Sequence, residues 1–414
     1  MPRSYPVRTP FLVTPLLALA VTLVVALLAV ATGAPRAEAA SLQRVSSFGT
    51  NPGGLGMYTY LPDDLPSGAP VVILLHGCSQ DAATYHDNSG WDRVARERGV
   101  ALVYAQQPSG NNASSCFNWF QPGDTARGSG EAASIRQMVD YAADTLGATG
   151  PAYVSGLSAG GAMASEVLSA YPDIFAGGSV VAGLPTGCAD SMLAATTCMS
   201  GGEQRSAEQW GEEVRDKNPG YTGPWPRVEI WHGSADYVVD TANAEASRAQ
   251  WVNVHGASPT PGRTEQRPSG TVTEYYEADG EAVVALSTVA GMGHGTPVDP
   301  SAGCGSAGAY FLDTLCSAAY TADFLGIDTD VPTPTPTPTA TASPSPTPSP
   351  TPTAQPGTCV TDDNYGHVTA GRARHHLGHA YTVGGDDDLG LFNTWVVTSV
   401  HESAPGHWIE VSGC

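Results

Sequence analysis

Lysine is almost absent from this chain of 414 residues, in which Lys217 is the only one. Lysine and arginine together number 18 against 40 acidic residues, so the formal net charge is −22. A protein with so little positive charge has no general attraction for a phosphate backbone or for anionic lipid, and we expect no nucleic-acid partner. The hydrophobic fraction of 41% is nevertheless too high for a chain that is disordered throughout.

The sequence has few long hydrophobic runs: only one, from Phe11 to Ala31, is long enough to cross a membrane. Arg3 and Arg8 precede it, and the small-residue site Ala37-Glu38-Ala39 follows it, which is typical of a secretory signal peptide. A membrane anchor is the alternative, but Pro15 within the run favours cleavage. We therefore expect residues 1–39 to be removed and the mature protein to be extracellular, with no stable membrane anchor.

Cys-x-x-Cys pairs are absent, which argues against structural zinc. An even number of cysteines, 8, in an oxidising compartment favours disulfide bonds instead. Pairing each cysteine with its nearest neighbour along the chain predicts the bonds Cys78–Cys116, Cys188–Cys198, Cys304–Cys316 and Cys359–Cys414.

A break in composition divides the mature chain. Residues 331–357 are almost entirely proline, threonine, serine and alanine, so they cannot form a hydrophobic core and favour an extended polyproline-like tether. The tether separates a large domain, residues 40–330, from a small module, residues 358–414.

The large domain alternates strand and helix patterns. Val71–Leu75 is a continuous apolar run, as expected of a strand that is buried on both faces. Further strands are predicted at Val100–Tyr104, Ala152–Val154, Val228–Trp231 and Val283–Leu286, and helices at Trp91–Arg98, Gly130–Leu146 and Ala162–Ala170. This alternation predicts a parallel α/β sheet that binds its ligand at the carboxyl ends of the strands.

A serine motif follows one of these strands. Gly156-Leu157-Ser158-Ala159-Gly160 is the only Gly-x-Ser-x-Gly sequence in the chain, and it lies between a predicted strand and a predicted helix. In that context the motif forms a sharp turn that exposes the serine hydroxyl above the sheet. An ordinary tight turn is the alternative, but the context predicts Ser158 as a nucleophile.

An acid and a base follow the serine in the order that this kind of sheet requires. Asp236 comes just after the strand Val228–Trp231, and His294 lies in a glycine-rich loop after Val283–Leu286. We predict that His294 is the base and that Asp236 orients it. Asp240 is the second choice for the acid, and His232 and His255 are weaker candidates for the base.

The oxyanion of the transition state requires hydrogen-bond donors. His76-Gly77-Cys78 follows the first predicted strand, where the backbone of Cys78 would supply one N–H group and Ala159 the other. A Cys78–Cys116 bond would hold this loop in place. We assign His76 a structural role without proton transfer, and the chemistry requires no cofactor or metal.

The order of motifs resembles that of extracellular poly(3-hydroxybutyrate) depolymerases and their related esterases, from about Thr59 to Leu325. The motifs are His76-Gly77-Cys78, Asn118-Trp119-Phe120, Gly156–Gly160, Tyr171–Gly177, His232–Asp236 and Gly293-His294-Gly295. The resemblance implies an α/β-hydrolase fold, the triad Ser158, His294 and Asp236, and an oxyanion hole at Cys78. Trp119 is a candidate substrate contact.

The resemblance implies a secreted serine esterase that cleaves a polyester such as poly(3-hydroxybutyrate) through an acyl-enzyme, acting as a monomer on a polymeric ester. Acetylxylan and feruloyl esterases share the motifs, so a polysaccharide ester is the alternative substrate. A secreted binding protein without catalytic activity is a third possibility, against which the intact triad argues.

The C-terminal module resembles the substrate-binding module of many secreted depolymerase-like esterases, through Asn364-Tyr365, Gly371-Arg372-Ala373, Gly390-Leu391 and the closing Cys414. Its aromatic residues are candidates for a polymer-contacting face, with the module's own core as the alternative. They are Tyr365, Tyr381, Phe392, Trp395 and Trp408.

Six histidines of the module lie near Asp386-Asp387-Asp388, which leaves a metal site open, although a polar loop explains them equally well. They are His367, His375, His376, His379, His401 and His407.

Overall fold

The computed structural model describes residue 1, residues 41–327 and, further along the chain, residues 359–376, 379–385, 387–391, 397–404, 407–411 and 414. The described residues divide into two compact units, one of residues 41–327 and one of the described residues from Cys359 onward. The predicted signal peptide and the predicted Pro/Thr-rich tether lie outside the described residues. Among the described residues, no helix has the length and hydrophobicity needed to cross a bilayer.

A mixed sheet of ten strands forms the centre of the first unit. Its strands are β1 (Gln43–Val45), β2 (Gly56–Tyr60), β3 (Val71–Leu75), β4 (Ala101–Gln106), β5 (Ala152–Leu157), β6 (Phe175–Val181), β7 (Arg227–Gly233), β8 (Arg263–Arg267), β9 (Thr271–Ala278) and β10 (Glu281–Val289). Their order across the sheet is β1-β2-β4-β3-β5-β6-β7-β10-β9-β8. Neighbours from β4 to β10 in this order run parallel, whereas β1, β2, β8 and β9 add antiparallel edges.

Helices cover both faces of this sheet. They are α1 (Ala82–Ser89), α2 (Trp91–Arg98), α3 (Pro122–Thr125), α4 (Gly130–Leu146), α5 (Ala159–Ala170), α6 (Met192–Met199), α7 (Ala207–Arg215), α8 (Ala242–Val254) and α9 (Ser317–Leu325). Val71, Ile73 and Leu75 of β3 pack into the core formed with α4, α5 and α8. Val72 and Leu74 point into a second core with α1, α2 and α9. Because each face is covered, every residue of β3 is buried, as its uninterrupted apolar run predicts.

The predicted parallel core is confirmed, and the antiparallel edges are an addition to it. The predicted helices Trp91–Arg98 and Gly130–Leu146 have the observed bounds, and Gly99 ends the first in a left-handed conformation with φ 60°. The helix predicted from Ala162 begins three residues earlier, at Ala159. A short parallel pair, β11 (Thr296–Val298) and β12 (Phe311–Asp313), lies beyond β10.

All four predicted disulfide bonds are present: Cys78–Cys116, Cys188–Cys198, Cys304–Cys316 and Cys359–Cys414. Each joins cysteines that are consecutive in the chain. Nearest-neighbour pairing therefore predicts the observed connectivity.

The second unit contains two antiparallel sheets of three strands in its described residues. Its elements are β13 (Cys359–Asp363), α10 (Asn364–Thr369), β14 (Ala373–His376), β15 (His379–Thr382), β16 (Asp388–Leu391), β17 (Val397–Ala404) and β18 (His407–Val411). The strand orders are β13-β17-β18 and β14-β15-β16. A small core of Ala373, Ala380, Leu389 and Val400 packs beneath the half-buried Trp408.

Several predictions for this module lie outside the described residues: the positions of Phe392, Trp395 and Asp386, and the side chains of Tyr365, His375, His376 and His379. His367 is buried, and both its ring nitrogens are engaged. Its Nδ1 accepts from Arg372 Nε at 3.0 Å, and its Nε2 donates to the Thr398 carbonyl at 3.0 Å. His367 is therefore a structural residue of the module.

Candidate active site

Ser158 occupies a strained turn between β5 and α5. Its backbone has φ 58° and ψ −118°, a conformation that residues with a side chain rarely adopt. The turn is held on both sides, because Ser158 N–H donates to the Val181 carbonyl and the Ser158 carbonyl accepts from Ala162 N–H, both at 2.8 Å. The strand–turn–helix geometry predicted for the serine motif is therefore present.

Two glycines of the motif are required by close backbone contacts. A Cβ atom on Gly156 would lie 2.3 Å from the Gly160 carbonyl oxygen. One on Gly160 would lie 2.3 Å from the carbonyl oxygen of Leu75, the last residue of β3. Glycine at these positions lets the start of α5 pack directly against the end of β3. The loop after β3 and the amide of Ala159 are thus brought to the same edge of the sheet.

The loop after β3 leaves one backbone donor available. Gly77 N–H donates to Gln80 Oε1 at 2.9 Å, and Ser79 N–H donates to the Ser114 carbonyl at 2.7 Å. Within the described part of the chain, the N–H of Cys78 between them donates to no group. The side chain of Gln80, which sequence analysis did not single out, therefore holds the loop in the conformation that leaves the Cys78 amide unoccupied.

Ala159 offers a second donor of the same kind. As the first residue of α5 it has no acceptor within the helix for its N–H, and the partial positive charge of a helix N-terminus favours an oxyanion there. The Cys78–Cys116 bond fixes the opposing loop. The two donors predicted from the sequence thus lie on rigid elements.

His76 is fully buried and serves this loop structurally. Its Nε2 accepts from Gln107 N–H at 3.1 Å, so its proton is on Nδ1, which donates to the Gly77 carbonyl at 2.7 Å. Burial lowers the pKa of His76, so the imidazole is neutral. This arrangement agrees with the structural role expected of His76.

Asp236 and His294 are directly hydrogen-bonded. His294 Nδ1 donates to Asp236 Oδ2 at 2.8 Å, which leaves Nε2 as the ring nitrogen for proton transfer. Asp236 Oδ1 accepts from the amides of Val238 at 2.9 Å and Val239 at 3.0 Å. Burial favours the neutral form of Asp236 and so tends to raise its pKa. The hydrogen bond and charge of His294, together with the two backbone amides, outweigh burial and hold the pKa of Asp236 below that of an ordinary aspartate.

The loops that carry the acid and the base are packed tightly together. A Cβ atom on Gly233 would lie 2.2 Å from the Met292 carbonyl oxygen. The same carbonyl accepts from Ala235 N–H at 2.9 Å, and Gly291 N–H donates to Ser234 Oγ at 2.8 Å. These contacts set the distance between Asp236 and His294 through the backbone.

The weaker candidates have other roles. Asp240 is exposed and accepts from Ala242 N–H at 2.9 Å near the start of α8, while His255 Nε2 donates to the Pro226 carbonyl at 3.0 Å. His232 is buried beside the acid: its Nε2 donates to the Val239 carbonyl at 2.9 Å and lies 3.4 Å from Asp236 Oδ2. His232 therefore supports the turn that carries Asp236, a role that its sequence position did not indicate.

Ser158 and His294 line one cavity of about 230 Å³. Its apolar walls are formed by Leu157, Met199, Val238 and Tyr310, and the loop after β3 closes another side. This lining contains no Asp, Glu, Lys or Arg side chain, and its one cysteine, Cys78, is in a disulfide. Met199 and Tyr310 carry no sequence signal for this position and were not predicted.

Trp119 does not reach this cavity. It is 4% exposed, packs edge-on against Phe120 with ring centroids 5.5 Å apart, and belongs to the core on the α4 and α5 side of the sheet. Trp119 is thus a residue of the core in this structure, and its role as a substrate contact stays a prediction.

Among the described side chains, no group of three or more His, Cys, Asp or Glu residues is arranged so that it could hold a metal ion. The groups assembled around Ser158 are those of nucleophilic acyl transfer: a hydroxyl, an imidazole paired with a carboxylate, and two backbone donors.

Comparison with known proteins agrees with this arrangement. Residues 56–275 match the family model described as Esterase PHB depolymerase. The chain is 47% identical over 292 residues to poly(3-hydroxyalkanoate) depolymerase C of Paucimonas lemoignei, covering 69% of this chain and 70% of that protein. It is 36% identical over 275 residues to feruloyl esterase B of Talaromyces funiculosus, covering 64% of this chain and 76% of that protein.

Among solved structures, the acetyl xylan esterase from Aspergillus awamori superposes with a TM-score of 0.60 at 25% sequence identity, covering 69% of this chain and 99% of that one. The family match, the relatives and the fold agree. The chain belongs to the Esterase PHB depolymerase family and is a carboxylic-ester hydrolase with the α/β-hydrolase fold.

Proposed function

We propose that this protein is a secreted serine esterase that cleaves the ester bonds of an aliphatic polyester such as poly(3-hydroxybutyrate). The observation that carries the proposal is the 2.8 Å hydrogen bond from His294 to Asp236, together with the position of His294 and Ser158 on one cavity. This is the arrangement expected of a nucleophile, a base and an acid that orients the base.

The first half of the reaction acylates the serine. His294 Nε2 takes the proton of Ser158 as its Oγ attacks the ester carbonyl carbon. The amides of Cys78 and Ala159 stabilise the negative oxygen, and a donor of this kind typically contributes about 2.7–4 kcal/mol to the transition state. The carbon–oxygen bond to the alcohol then breaks, and the alcohol leaves with the proton from His294.

The second half releases the acid. His294 takes a proton from water, whose oxygen attacks the acyl carbon, and the proton returns to Ser158 Oγ as the acyl bond breaks. Asp236 keeps the proton of the neutral imidazole on Nδ1 and stabilises the imidazolium in both halves. Its lowered pKa means that the carboxylate is charged wherever the neutral imidazole can act as a base.

Two observations favour a polyester over a polysaccharide ester. The similarity to a poly(3-hydroxyalkanoate) depolymerase, at 47% identity, exceeds that to the feruloyl esterase, at 36%. Leu157, Met199 and Val238 give the cavity an apolar wall, which suits the methyl and methylene groups of an aliphatic chain. An acetylxylan or feruloyl esterase is the second candidate, supported by the fold shared with an acetyl xylan esterase.

The remaining parts of the chain complete the proposal. The leader predicted at residues 1–39 exports the enzyme, the proline-rich residues 331–357 act as a tether, and the module at 358–414 binds the polymer. The tethered module would hold the catalytic unit near an insoluble substrate. We also propose that the enzyme acts as a monomer.

Replacing the nucleophile tests the mechanism. Ser158→Ala is expected to abolish hydrolysis of p-nitrophenyl butyrate and clearing of a poly(3-hydroxybutyrate) film, with an unchanged circular dichroism spectrum. Ser67→Ala, at an exposed serine of the same unit, is the matched control and should keep wild-type activity. Wild-type activity in Ser158→Ala would refute the mechanism. Release of acetate or ferulate from xylan without film clearing would assign the second candidate.

A further inference from the structure

Glu131 is a buried carboxyl group that takes no part in the reaction steps described above. It lies in the first turn of α4, and its side chain is fully buried. Three N–H groups donate to it. The backbone amide of Asn118 donates to Oε2 at 2.9 Å, while the side-chain amides of Asn118, at 2.8 Å, and of Gln107 donate to Oε1. A buried polar group with this many partners makes its surroundings rigid.

Gln107 connects Glu131 to the peptide group that supplies the oxyanion donor. Gln107 N–H donates to His76 Nε2 at 3.1 Å, and His76 Nδ1 donates to the Gly77 carbonyl at 2.7 Å. The carbonyl of Gly77 and the N–H of Cys78 belong to one planar peptide group, in which they point in opposite directions. A bond that fixes the direction of this carbonyl therefore also fixes the direction of the Cys78 N–H.

A second path of hydrogen bonds reaches the other side of the same donor. Asn118 Oδ1 accepts from Asn112 Nδ2 at 3.0 Å, and Asn112 Oδ1 accepts from Ser114 N–H at 3.0 Å. The Ser114 carbonyl in turn accepts from Ser79 N–H at 2.7 Å. Both neighbours of Cys78 are thus tied, through separate paths, to one buried carboxyl group.

We propose that Glu131 is a positioning residue for ester hydrolysis, which keeps the Cys78 N–H directed at the oxyanion. It acts through Gln107 and His76, and it does not line the cavity that contains Ser158. The proposal rests on the serine-esterase mechanism proposed above. It holds equally for a polyester and for a polysaccharide ester, because the oxyanion is common to both substrates.

The ionised form of Glu131 fits its partners better than the neutral form. A carboxylate only accepts hydrogen bonds, whereas a protonated carboxyl must place an O–H group among three donors and give up one of them. Residues 51–54 and 107–118, which pack against Glu131, carry no acidic or basic side chain. The facing titratable groups are the neutral His76 and the carboxylate of Asp124, which accepts from Glu131 N–H. Burial and, to a lesser extent, the charge of Asp124 raise the pKa of Glu131 to about 8.

The pH dependence of kcat tests this proposal in the full-length protein, with p-nitrophenyl butyrate as the substrate. In the wild type, kcat should show a rising step near pH 8, as Glu131 ionises and all three donors are engaged. Glu131→Gln keeps the shape of the side chain but replaces one acceptor oxygen with an NH₂ group. It should remove the step, lower kcat at pH 9 about ten-fold and change KM by less than about two-fold, since only the transition state uses the oxyanion donors.

Glu229→Gln is the matched control. Glu229 is also fully buried, and burial raises its pKa as well. It lies on β7, where it accepts from Ser287 Oγ at 3.0 Å and Arg267 Nη1 at 3.4 Å. Because these bonds do not lead to the oxyanion loop, Glu229→Gln should keep the wild-type kcat and its step near pH 8.

A second variant leaves Glu131 in place. Gln107→Met removes one donor to the carboxylate and keeps the backbone N–H that bonds to His76. Loss of a donor to the charged form raises the pKa of a carboxyl group, so the step in kcat should move to higher pH. A merely structural role of Glu131 predicts no such movement. This measurement decides the question if Glu131→Gln fails to fold by circular dichroism.

Failure of the positioning role and failure of the proposed function give different results. A folded Glu131→Gln whose kcat stays within about two-fold of the wild type, or whose pH profile is parallel to it, would overturn the inference alone. An equal loss in Glu229→Gln, or a step that does not move in Gln107→Met, would also overturn it. A wild type that hydrolyses no ester would overturn the proposed function and the inference together.

Discussion

Replacing the only lysine should destabilise the catalytic unit. Lys217 Nζ lies 2.6 Å from Oε2 of Glu166, whose side chain is 1% exposed, whereas that of Lys217 is 20% exposed. The other oxygen of Glu166 accepts from Gly187 N–H at 2.8 Å, and Lys217 also donates to Thr125 Oγ1 at 3.1 Å. Burial raises the pKa of Glu166, and the charge of Lys217 with the Gly187 amide only partly offsets that effect.

Lys217→Met keeps most of the aliphatic stem and removes the charge. It leaves Glu166 buried with a single donor, and breaking a buried ion pair in this way costs about 3–5 kcal/mol. For a unit of this size, the midpoint of thermal unfolding should fall by roughly 10 °C. Because the pKa of Glu166 is raised in the folded state, the loss should be smallest at acid pH, where the carboxyl is protonated in both states. The loss of stability should grow as the pH rises above the ordinary pKa of a glutamate side chain.

Urea and thermal unfolding of the full-length protein, followed by circular dichroism, measure this effect. Lys217→Met/Glu166→Gln should recover most of the loss, because glutamine still accepts from Gly187 and leaves no buried charge. Arg136→Met, which breaks the exposed pair with Asp140, is the matched control and should cost less than about 1 kcal/mol. A loss below about 1 kcal/mol for Lys217→Met, or a double variant no more stable than the single one, would refute the reasoning.

Three further predictions concern the site and its support. Asp236→Asn should lower kcat about 10³–10⁴-fold with little change in KM, because His294 loses its charged partner; an unchanged kcat would contradict the pairing. Burial raises the pKa of Glu131 to about 8, so its ionisation opposes folding as pH rises. Glu131→Gln should therefore flatten the fall in stability between about pH 5 and 9 in urea titrations, and parallel curves would contradict this. Cys78→Ser/Cys116→Ser should cost about 4 kcal/mol for a loop of 38 residues and also lower kcat, since the oxyanion loop loses its tie; full activity would argue against that role.

The central strands and the serine turn were predictable because their signals are local. The five residues from Val71 to Leu75 are all apolar, because a strand that is covered on both faces needs an apolar side chain at every position. Gly156 and Gly160 are needed by contacts with the neighbouring backbone, so the motif itself encodes the turn. The edge strand Arg263–Arg267 could not be recognised, because it is polar and exposed and its pairing depends on a partner strand.

The candidate catalytic residues could be identified from the sequence, but the residues that form the cavity walls could not. Ser158, Asp236 and His294 each follow a strand in a fixed order, but Met199 and Tyr310 reach the cavity only through tertiary folding. The burial of Trp119 could not be predicted, because an aromatic residue within a motif has the same sequence pattern in a core as at a surface. His232 was only a weaker candidate for the base, and its supporting role could not be predicted because the turn alone brings its Nε2 to 3.4 Å from Asp236 Oδ2.

The order of the disulfide bonds has a consequence for biogenesis. Since every bond joins consecutive cysteines, none of the four loops crosses or encloses another. A chain that emerges from a membrane with its N-terminus first, as the predicted leader implies, presents its cysteines in matching pairs. An oxidase that joins cysteines in their order of appearance therefore forms the four native disulfide bonds without first forming a non-native one. The protein is therefore expected to mature in an oxidising compartment without a disulfide isomerase, and expression in an isomerase-deficient host should give an undiminished yield.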